Sequence, residues 1–380
     1  MLWALERLQS EDYVVARAGD GSYVAENLGA LVSPGAATKS LRPPVVAGLS
    51  QRGRLVADTV LRWNPPMQAA QPFRIGAPEI ATFPFSVRDR LARQASKEQR
   101  MAQAQYLDPA GSSALRHAIA QWLWVSRGIR CEAAQVVVCS GSQQGIDLVG
   151  RLLLDVGDEA WVEDPGYPGI GASLVGHGGT VRPVPVDKKG MVVERAAAQW
   201  PAARLAVVTP TSQFPTGVRM SLQRRLALLD WANAQQAWIV EDDYDGEFQY
   251  GTHRLPALCS LPHALAGAFA MARALTGRHA PGDAQDVLAR FITEGHLLRH
   301  LRRMRELYPQ RQQVLIDTLA KASKGQLVLQ PSEQGMHLLH GPSRLGCCWR
   351  RCRATPLLPN AGDGCLVMRA MTRRPRARLP

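Results

Sequence analysis

The chain has 380 residues, of which 46% are hydrophobic, enough for two or three domains with buried cores. Its longest apolar runs, at 263–272 and 314–320, are too short to cross a bilayer, and residues 1–13 lack the charged, apolar and small segments of a signal peptide. A soluble cytoplasmic protein is expected, and seven cysteines without framework spacing suit a reducing compartment. The net charge of +13 invites nucleic acid as a partner, but nine arginines against one acid, Asp363, crowd into residues 341–380. Thirty-nine Arg against six Lys point to GC-rich coding more than to selection for phosphate contacts.

In chain order, Leu2 to Glu11 reads as the end of an amphipathic helix, with Leu2, Leu5 and Leu8 on one face. Tyr13 to Ala25 reads as a β-hairpin, because two β-rich arms flank AGDG. From Asn27 to Gln71 the composition turns to Pro, Gly, Ala and Arg, the signature of a linker. An α/β pattern begins at Phe73. It predicts a helix over Ser112–Arg127, capped by Ser112 or Ser113, a buried strand at 135–139 and a helix from 141 to 155. Strands follow at 159–164 and 180–186, then one at 205–210, a helix at 222–236 and a strand at 237–243. This alternation implies a mostly parallel sheet covered by helices. Two long helices, Ala284–Leu307 and Pro309–Ala322, and a short strand at 326–331 close the pattern. No strand-like segment appears between 250 and 283, and beyond residue 339 neither a helical nor a strand period is visible.

Several chemistry-bearing groups fall where strands end, the edge at which open parallel sheets hold ligands. In CSGSQQG (139–145), Ser142 and the backbone N–H groups of Gln143 and Gln144 would open a helix, an anion site suited to phosphate. In EDPGYPG (163–169), Tyr167 stands just past a strand, where its ring can stack on a flat ligand or simply cap the core. TPTSQFPTG (209–217) reads as a tight turn made by Pro215 and Gly217. EDDYD (241–245) then sets carboxylates beside a phenol. The bland reading is a solvated turn, and Asp243 replaces Asp242 as the inward carboxylate if the strand register differs.

Together, in this order, the motifs resemble the fold-type I aminotransferases that use pyridoxal phosphate. More narrowly, they resemble the MocR-like branch of the GntR-type transcription regulators. The stretches that carry the resemblance are ERLQSEDYVVARAGDGSYVA, FRIGAPEIATFPFSV, YLDPAGSSALRHAIAQWL, VVVCSGSQQGIDL, GDEAWVEDPGYPG, TSQFPTG, IVEDDYDGEFQY and GHLLRHLRRMRELY, which span most of residues 1–340. The resemblance implies an α/β large domain with a mostly parallel sheet and a smaller α+β domain, preceded by part of a winged helix-turn-helix. Residues 1–26 would be the recognition-helix end and wing, 27–71 the linker, 72–340 the aminotransferase-like domain and 341–380 an irregular tail. It also implies pyridoxal 5'-phosphate as cofactor. Ser142 and Gln143 would hold its phosphate, Tyr167 would stack on its ring, Asp242 would pair with the ring nitrogen and Tyr244 would hydrogen-bond the 3-oxygen. Tyr106 would reach the phosphate of a dimer mate's cofactor. DNA, an amino compound or pyridoxal phosphate as effector, and a second copy of the chain are the implied partners, with no membrane.

An enzyme of this kind needs a lysine whose amine forms a Schiff base and then shuttles the substrate proton. The resemblance places it one strand after the Asp–Tyr pair, in a segment ending Ser-Lys. Between Lys189 and Lys321 the chain has no lysine. Lys188 and Lys189 fall in the turn VDKKG, away from the strand ends, and Lys321 and Lys324 near the end of a late helix, so no catalytic residue is assigned. The family's next strand, Ser-Lys loop, phosphate-binding arginine and antiparallel strand are all missing near Pro262–Ala266, as an internal deletion would leave it. A sheet of five strands at most is therefore expected where the family has seven, with 263–275 crossing the gap as helix or coil and a tendency to aggregate. Residues 1–11 can supply only the end of a recognition helix, so sequence-specific DNA binding is expected to be weak. The tail beyond 340 reads as DNA in another frame. Its Cys347, Cys348, Cys352 and Cys365 do not match paired zinc spacing, and no metal is assigned. Three functions stay open: a regulator with an inactive, cofactor-binding domain; an active aminotransferase; or a remnant without function.

Overall fold

The computed structural model describes residues 2–17, 19–25, 48–58, 78–99, 106–250, 257–258, 261–324, 329, 331–340 and 366–369. The chain divides into two compact units, Met1–Ser50 and Gln51–Pro380. In the first, helix α1 (Leu2–Ser10) leads into a hairpin of β1 (Val14–Arg17) and β2 (Gly21–Val24), paired from Val14↔Val24 to Arg17↔Gly21. Gly19 and Gly21 turn the hairpin with φ of 85° and 102°, a region that costs glycine little and other residues much. The expected helix end and hairpin are thus both present.

The second unit begins with a helix, α2 (Gln51–Asp58), inside the stretch expected to be linker. Its sequence is rich in helix formers once the Pro- and Gly-rich residues are passed. The rest of the expected linker, 27–47 and 59–71, lies outside the described residues. Helices α3 (Phe85–Gln99) and α4 (Ser113–Arg127) follow. The α/β alternation then runs α5 (Ser142–Leu153), β3 (Glu159–Asp164), α6 (Pro168–Gly176), β4 (Thr180–Asp187), β5 (Gly190–Met191), α7 (Val193–Gln199), β6 (Leu205–Val208), α8 (Leu222–Gln235) and β7 (Trp238–Glu241). The sheet has five strands in the order β5-β4-β3-β6-β7; only the two-residue β5 is antiparallel.

Strand alternation sorts the core into two layers. Ala160, Val162, Leu205 and Val207 face one side, with Ile146 and Leu148 of α5 and Ile170 and Leu174 of α6. Trp161, Ala206 and Val208 face the other, with Ala196 of α7 and Leu228 and Trp231 of α8. Trp161 is fully buried and stacks on Trp231 with ring centroids 3.7 Å apart. Beyond the sheet come α9 (His263–Gly277), α10 (Gly282–Thr293) and α11 (His296–Ala322). A final antiparallel pair joins β8 (His337–His340) to β9 (Leu366–Arg369).

The five-strand sheet and the helical course of 263–275 match expectation; Phe269 and Ala272 of α9 pack into the first core layer. Four expectations need correction. Val136 is extended, but residues 136–139 join no strand ladder among the described residues. β7 ends the sheet, so no described strand lies beside them. The Val138 N–H donates instead to the Ala110 carbonyl (2.8 Å), and the Val138 carbonyl accepts from Arg273 Nε of α9 (2.6 Å). Second, the late helices break at Glu294–Gly295, where Gly295 takes φ 73°, and Pro309 lies inside α11. Third, Ser112 precedes α4 without a side-chain cap bond; its hydroxyl donates to Asp286 (2.8 Å). Fourth, the tail supplies β9, because Leu366, Val367 and Met368 form a short β-favouring run that finds a partner in β8. The strand expected at 326–331 lies mostly outside the described residues, as do the four cysteines weighed for a metal. No described helix is long and apolar enough to cross a membrane.

Arg273 is 1% exposed and replaces a strand's hydrogen bond with one from a side chain. Arg273→Ala should leave the Val138 carbonyl unpaired and lower unfolding free energy by about 1–3 kcal/mol in chemical denaturation. An unchanged midpoint would show that 136–139 is held by other means.

Candidate functional site

Parallel register brings three strand ends to one edge. Val162 of β3 lies opposite Val207 of β6, and Val208 opposite Glu241 of β7. The next residues of each chain segment therefore meet. The Asp242 N–H donates to the Val208 carbonyl (2.9 Å), and the Thr209 N–H donates to Glu163 Oε2 (3.2 Å). Glu163 is 6% exposed. Its Oε2 also accepts from the Thr209 hydroxyl and from Gln213 Nε2, while its Oε1 has no hydrogen-bond partner. Burial pushes the Glu163 carboxyl up to about 7 against those hydrogen bonds, with the charge of Asp242 adding to the rise.

Asp242 and Asp243 part company here. Asp243 is bound by the buried Arg127 of α4 at 2.5 Å, and Arg127 also donates to the Gly246 carbonyl and to Thr211. The Asp242 carboxylate has no hydrogen bond or ion pair among the described residues. Burial, with the neighbouring Asp243 charge, lifts it to about 6. The alternative left open by the sequence is thereby narrowed: Asp243 is occupied and Asp242 is not. Tyr244 follows on the same loop. Burial drives its phenol well above the ordinary tyrosine range, the charge of Asp245 adds to this, and a hydrogen bond with Ser212 opposes it. Phe214 stands between Tyr244 and Tyr167, meeting each edge-on at centroid distances of 6.0 and 6.1 Å. Tyr167 is half-buried, and burial, then the Asp242 charge, raises its phenol too.

Ser142 opens α5 and is exposed; Gly141 before it, at φ 155°, supplies no side-chain cap. Gln143 behaves differently from its expected role. Its Nε2 donates to the Gly169 carbonyl (3.1 Å) and to Ser173 Oγ (2.9 Å), tying α5 to α6, and its Oε1 is buried without a partner. Only its backbone N–H is left to meet a phosphate. Tyr106 is 76% exposed and carries the Arg278 guanidinium 3.6 Å over its ring. Sequence reasoning missed Glu163, Gln213 and Arg127. The signal for Glu163 was available, since a carboxylate inside the buried run AWVED needs partners. Nothing local marks Arg127, whose partners lie more than eighty residues away.

The expected cofactor fits this edge in part. An unpartnered, half-buried carboxylate suits a protonated ring nitrogen, and a phenol held un-ionised suits a ring oxygen. No lysine occurs from 190 to 320. Lys188 and Lys189 do stand on the same edge of the sheet, in the turn after β4, closer than the sequence suggested. They are exposed and lead outward into β5.

Residues 82–280 match the family model described as aminotransferase class I and II. The chain is 34% identical to a probable rhizopine catabolism regulatory protein, MocR, of Rhizobium meliloti, over 88% of this chain and 72% of that protein. It is 28% identical to the HTH-type pyridoxine biosynthesis transcriptional regulator PdxR of Corynebacterium glutamicum, over 88% and 73%. Among solved structures, LysN, an α-aminoadipate aminotransferase from Thermus thermophilus, superposes with a TM-score of 0.68 at 22% identity, covering 84% of this chain and 90% of that one.

The two raised carboxyls make stability depend on pH. Each holds in the folded state a proton that the unfolded chain has released, so their contribution is full at low pH and is lost as pH rises through about 6 and about 7. The midpoint of thermal unfolding should fall between about pH 4 and about pH 7 and level off above that. Glu163→Gln keeps an acceptor for Thr209 and Gln213; it should flatten the upper part of that fall and stabilise the chain at the alkaline end by about 1–3 kcal/mol. A variant with the wild-type slope would place the proton elsewhere.

Proposed function

The chain belongs to the MocR-like regulators of the GntR family that carry a class I and II aminotransferase domain, and from that premise we propose that this domain is a ligand-binding module that does not transaminate. One observation carries the reading: the open carboxylate of Asp242 stands beside Tyr244, and no lysine occurs from residue 190 to 320, the stretch that follows the pair. The relatives' names and the fold neighbours, which include a phosphopyridoxyl complex, support pyridoxal 5'-phosphate or a relative of it as the ligand.

In this reading Asp242 holds a proton on the ring nitrogen, and Tyr244 donates its phenolic proton to the ring oxygen. Tyr167 covers the ring face. Ser142 and the first N–H groups of α5 receive the phosphate. Such a cofactor, when bound, supplies an electron sink; the chain lacks the base that would use it. Glu163 and Gln213 position the strand ends, and the apolar layers beneath exclude water from that side. The first unit supplies the DNA contact, with Arg17 and its neighbours at phosphates, and effector binding modulates that contact. A second copy of the chain brings its own Tyr106 to the phosphate, and the protein works in the cytoplasm.

Incubation with pyridoxal 5'-phosphate, borohydride reduction and peptide mapping should leave no lysine stoichiometrically labelled. Full labelling at Lys188 or Lys189 would restore the enzymatic reading. In gel shifts, binding should weaken steeply with added salt, and Arg17→Ala should weaken it further at every sequence tested. Binding indifferent to salt and to that change would remove the hairpin from the interface.

A further inference from the structure

We propose that a cavity between the start of α3 and the opening turns of α11 is a second anion site, one that takes a small phosphomonoester. It stands independently of the strand-end reading, and none of its lining residues belongs to that edge. The cavity, of about 200 Å3, is walled by Thr82, Pro84 and Val87 at the entry to α3 and by His296, Arg299 and Arg303 of α11. His300 of α11 lines it too, and its ring meets Phe83 edge-on at 5.3 Å. The four α11 residues fall at i, i+3, i+4 and i+7, so one face of the helix carries them all.

From His296 to Arg305, α11 carries four arginines, two histidines and no acid. This is the wrong end of a helix for cations, because the dipole there is already positive. Arg299, Arg302 and Arg303 also repel one another across a single turn. The nearest acids in sequence do not cancel them. Glu294 pairs with His296 Nε2 (3.1 Å) and Asp89 of α3 with Arg88 (3.5 Å), while Glu306 makes no hydrogen bond or ion pair among the described residues. Arg299 is anchored through Nη2, which donates to the Glu294 carbonyl (3.0 Å) and to His296 Nδ1 (2.7 Å). Its Nε and Nη1, and the whole guanidinium of Arg303, have no hydrogen-bond partner among the described residues. The Thr82 hydroxyl has the Met304 sulfur at 3.9 Å, a weak acceptor that a phosphate oxygen would outbid. Two guanidinium forks with open N–H groups on one cavity wall match a tetrahedral oxyanion. Two cations beside a helix N-terminus suit a dianion, which a phosphomonoester is above a pKa of about 6 and a monocarboxylate never is. The volume would hold on the order of six waters, more than the four oxygens of a phosphate fill. Pro84 and Val87 offer the remaining space an apolar wall for a few carbons.

The test is a calorimetric titration of the purified full chain at about pH 7.5, where the ester is a dianion, with phenyl phosphate, inorganic phosphate and succinate as separate probes. Phenyl phosphate should bind, and more tightly than the other two. Arg303→Gln should weaken it at least about tenfold, the worth of one good hydrogen bond to a charged group. Arg302→Gln removes the same charge from an exposed position on the same turn that does not line the cavity; it should change affinity by less than about twofold. Arg303 is exposed as well, so both variants should fold, and phenyl phosphate should raise the melting midpoint of the Arg302 variant and of the unaltered chain but not of the Arg303 variant. No binding of phenyl phosphate overturns the site. Equal losses in the two variants reduce it to diffuse attraction by an arginine-rich surface. Binding untouched by Arg303→Gln moves the phosphate to another site, such as the first turn of α5, which overturns this site and leaves the strand-end reading standing. Inorganic phosphate or succinate binding as tightly as the ester overturns the assignment of the ligand class.

Discussion

The parallel pairing of β6 with β3 on one side and β7 on the other governs where every site residue stands. Four buried residues, Leu205 to Val208, form the centre of this arrangement. A one-residue slip along β6 would turn Leu205 and Val207 out of one core layer and into the other. It would also break the contacts of Thr209 with Glu163 and of Val208 with Asp242. The packing of Trp161 on Trp231 resists that slip, because a ring of that size has one place to go in a close-packed layer. The geometry of the site is therefore a by-product of core packing beneath it.

The same sheet shows what happens when a strand has no neighbour. Residues 136–139 are apolar enough to be a buried strand, yet Val138 gains its backbone partners from a loop carbonyl and an arginine. Buried N–H and C=O groups must be paired, but nothing requires that the partner be another strand. Helix α9 covers apolar surface that a sheet would otherwise cover, and its alanines let it lie close. Its outer face leaves Met271 and Leu275 largely exposed.

Much of this was legible in the sequence. Hydrophobic alternation located β3, β4, β6 and β7, and turn chemistry located the hairpin, because both signals are local. The strand-end positions of Tyr167, Asp242 and Tyr244 follow from those elements. The side-chain engagements did not. That Asp243 is taken by Arg127 and Gln143 by Ser173 depends on contacts far apart in the chain, which no window of sequence contains. The strand at 135–139 failed for a related reason: its period was read correctly, but strand formation is a property of a pair. Pro309 misled because proline usually stops a helix, whereas here the packing of Leu301, Met304, Tyr308 and Leu315 continues the helix through it.

The loop from Asp242 to Gln249 is fastened at both ends. Arg127 grips Asp243 and the Gly246 carbonyl. Glu247 accepts from Trp122 of α4 at 2.8 Å and pairs with Arg305 of α11 at 3.0 Å. Met336 donates its N–H to Asp245. A loop held this way has no slack. Any push that a ligand gives to Tyr244 is delivered, as through a taut cord, to two long helices and to the segment that leads into the C-terminal hairpin.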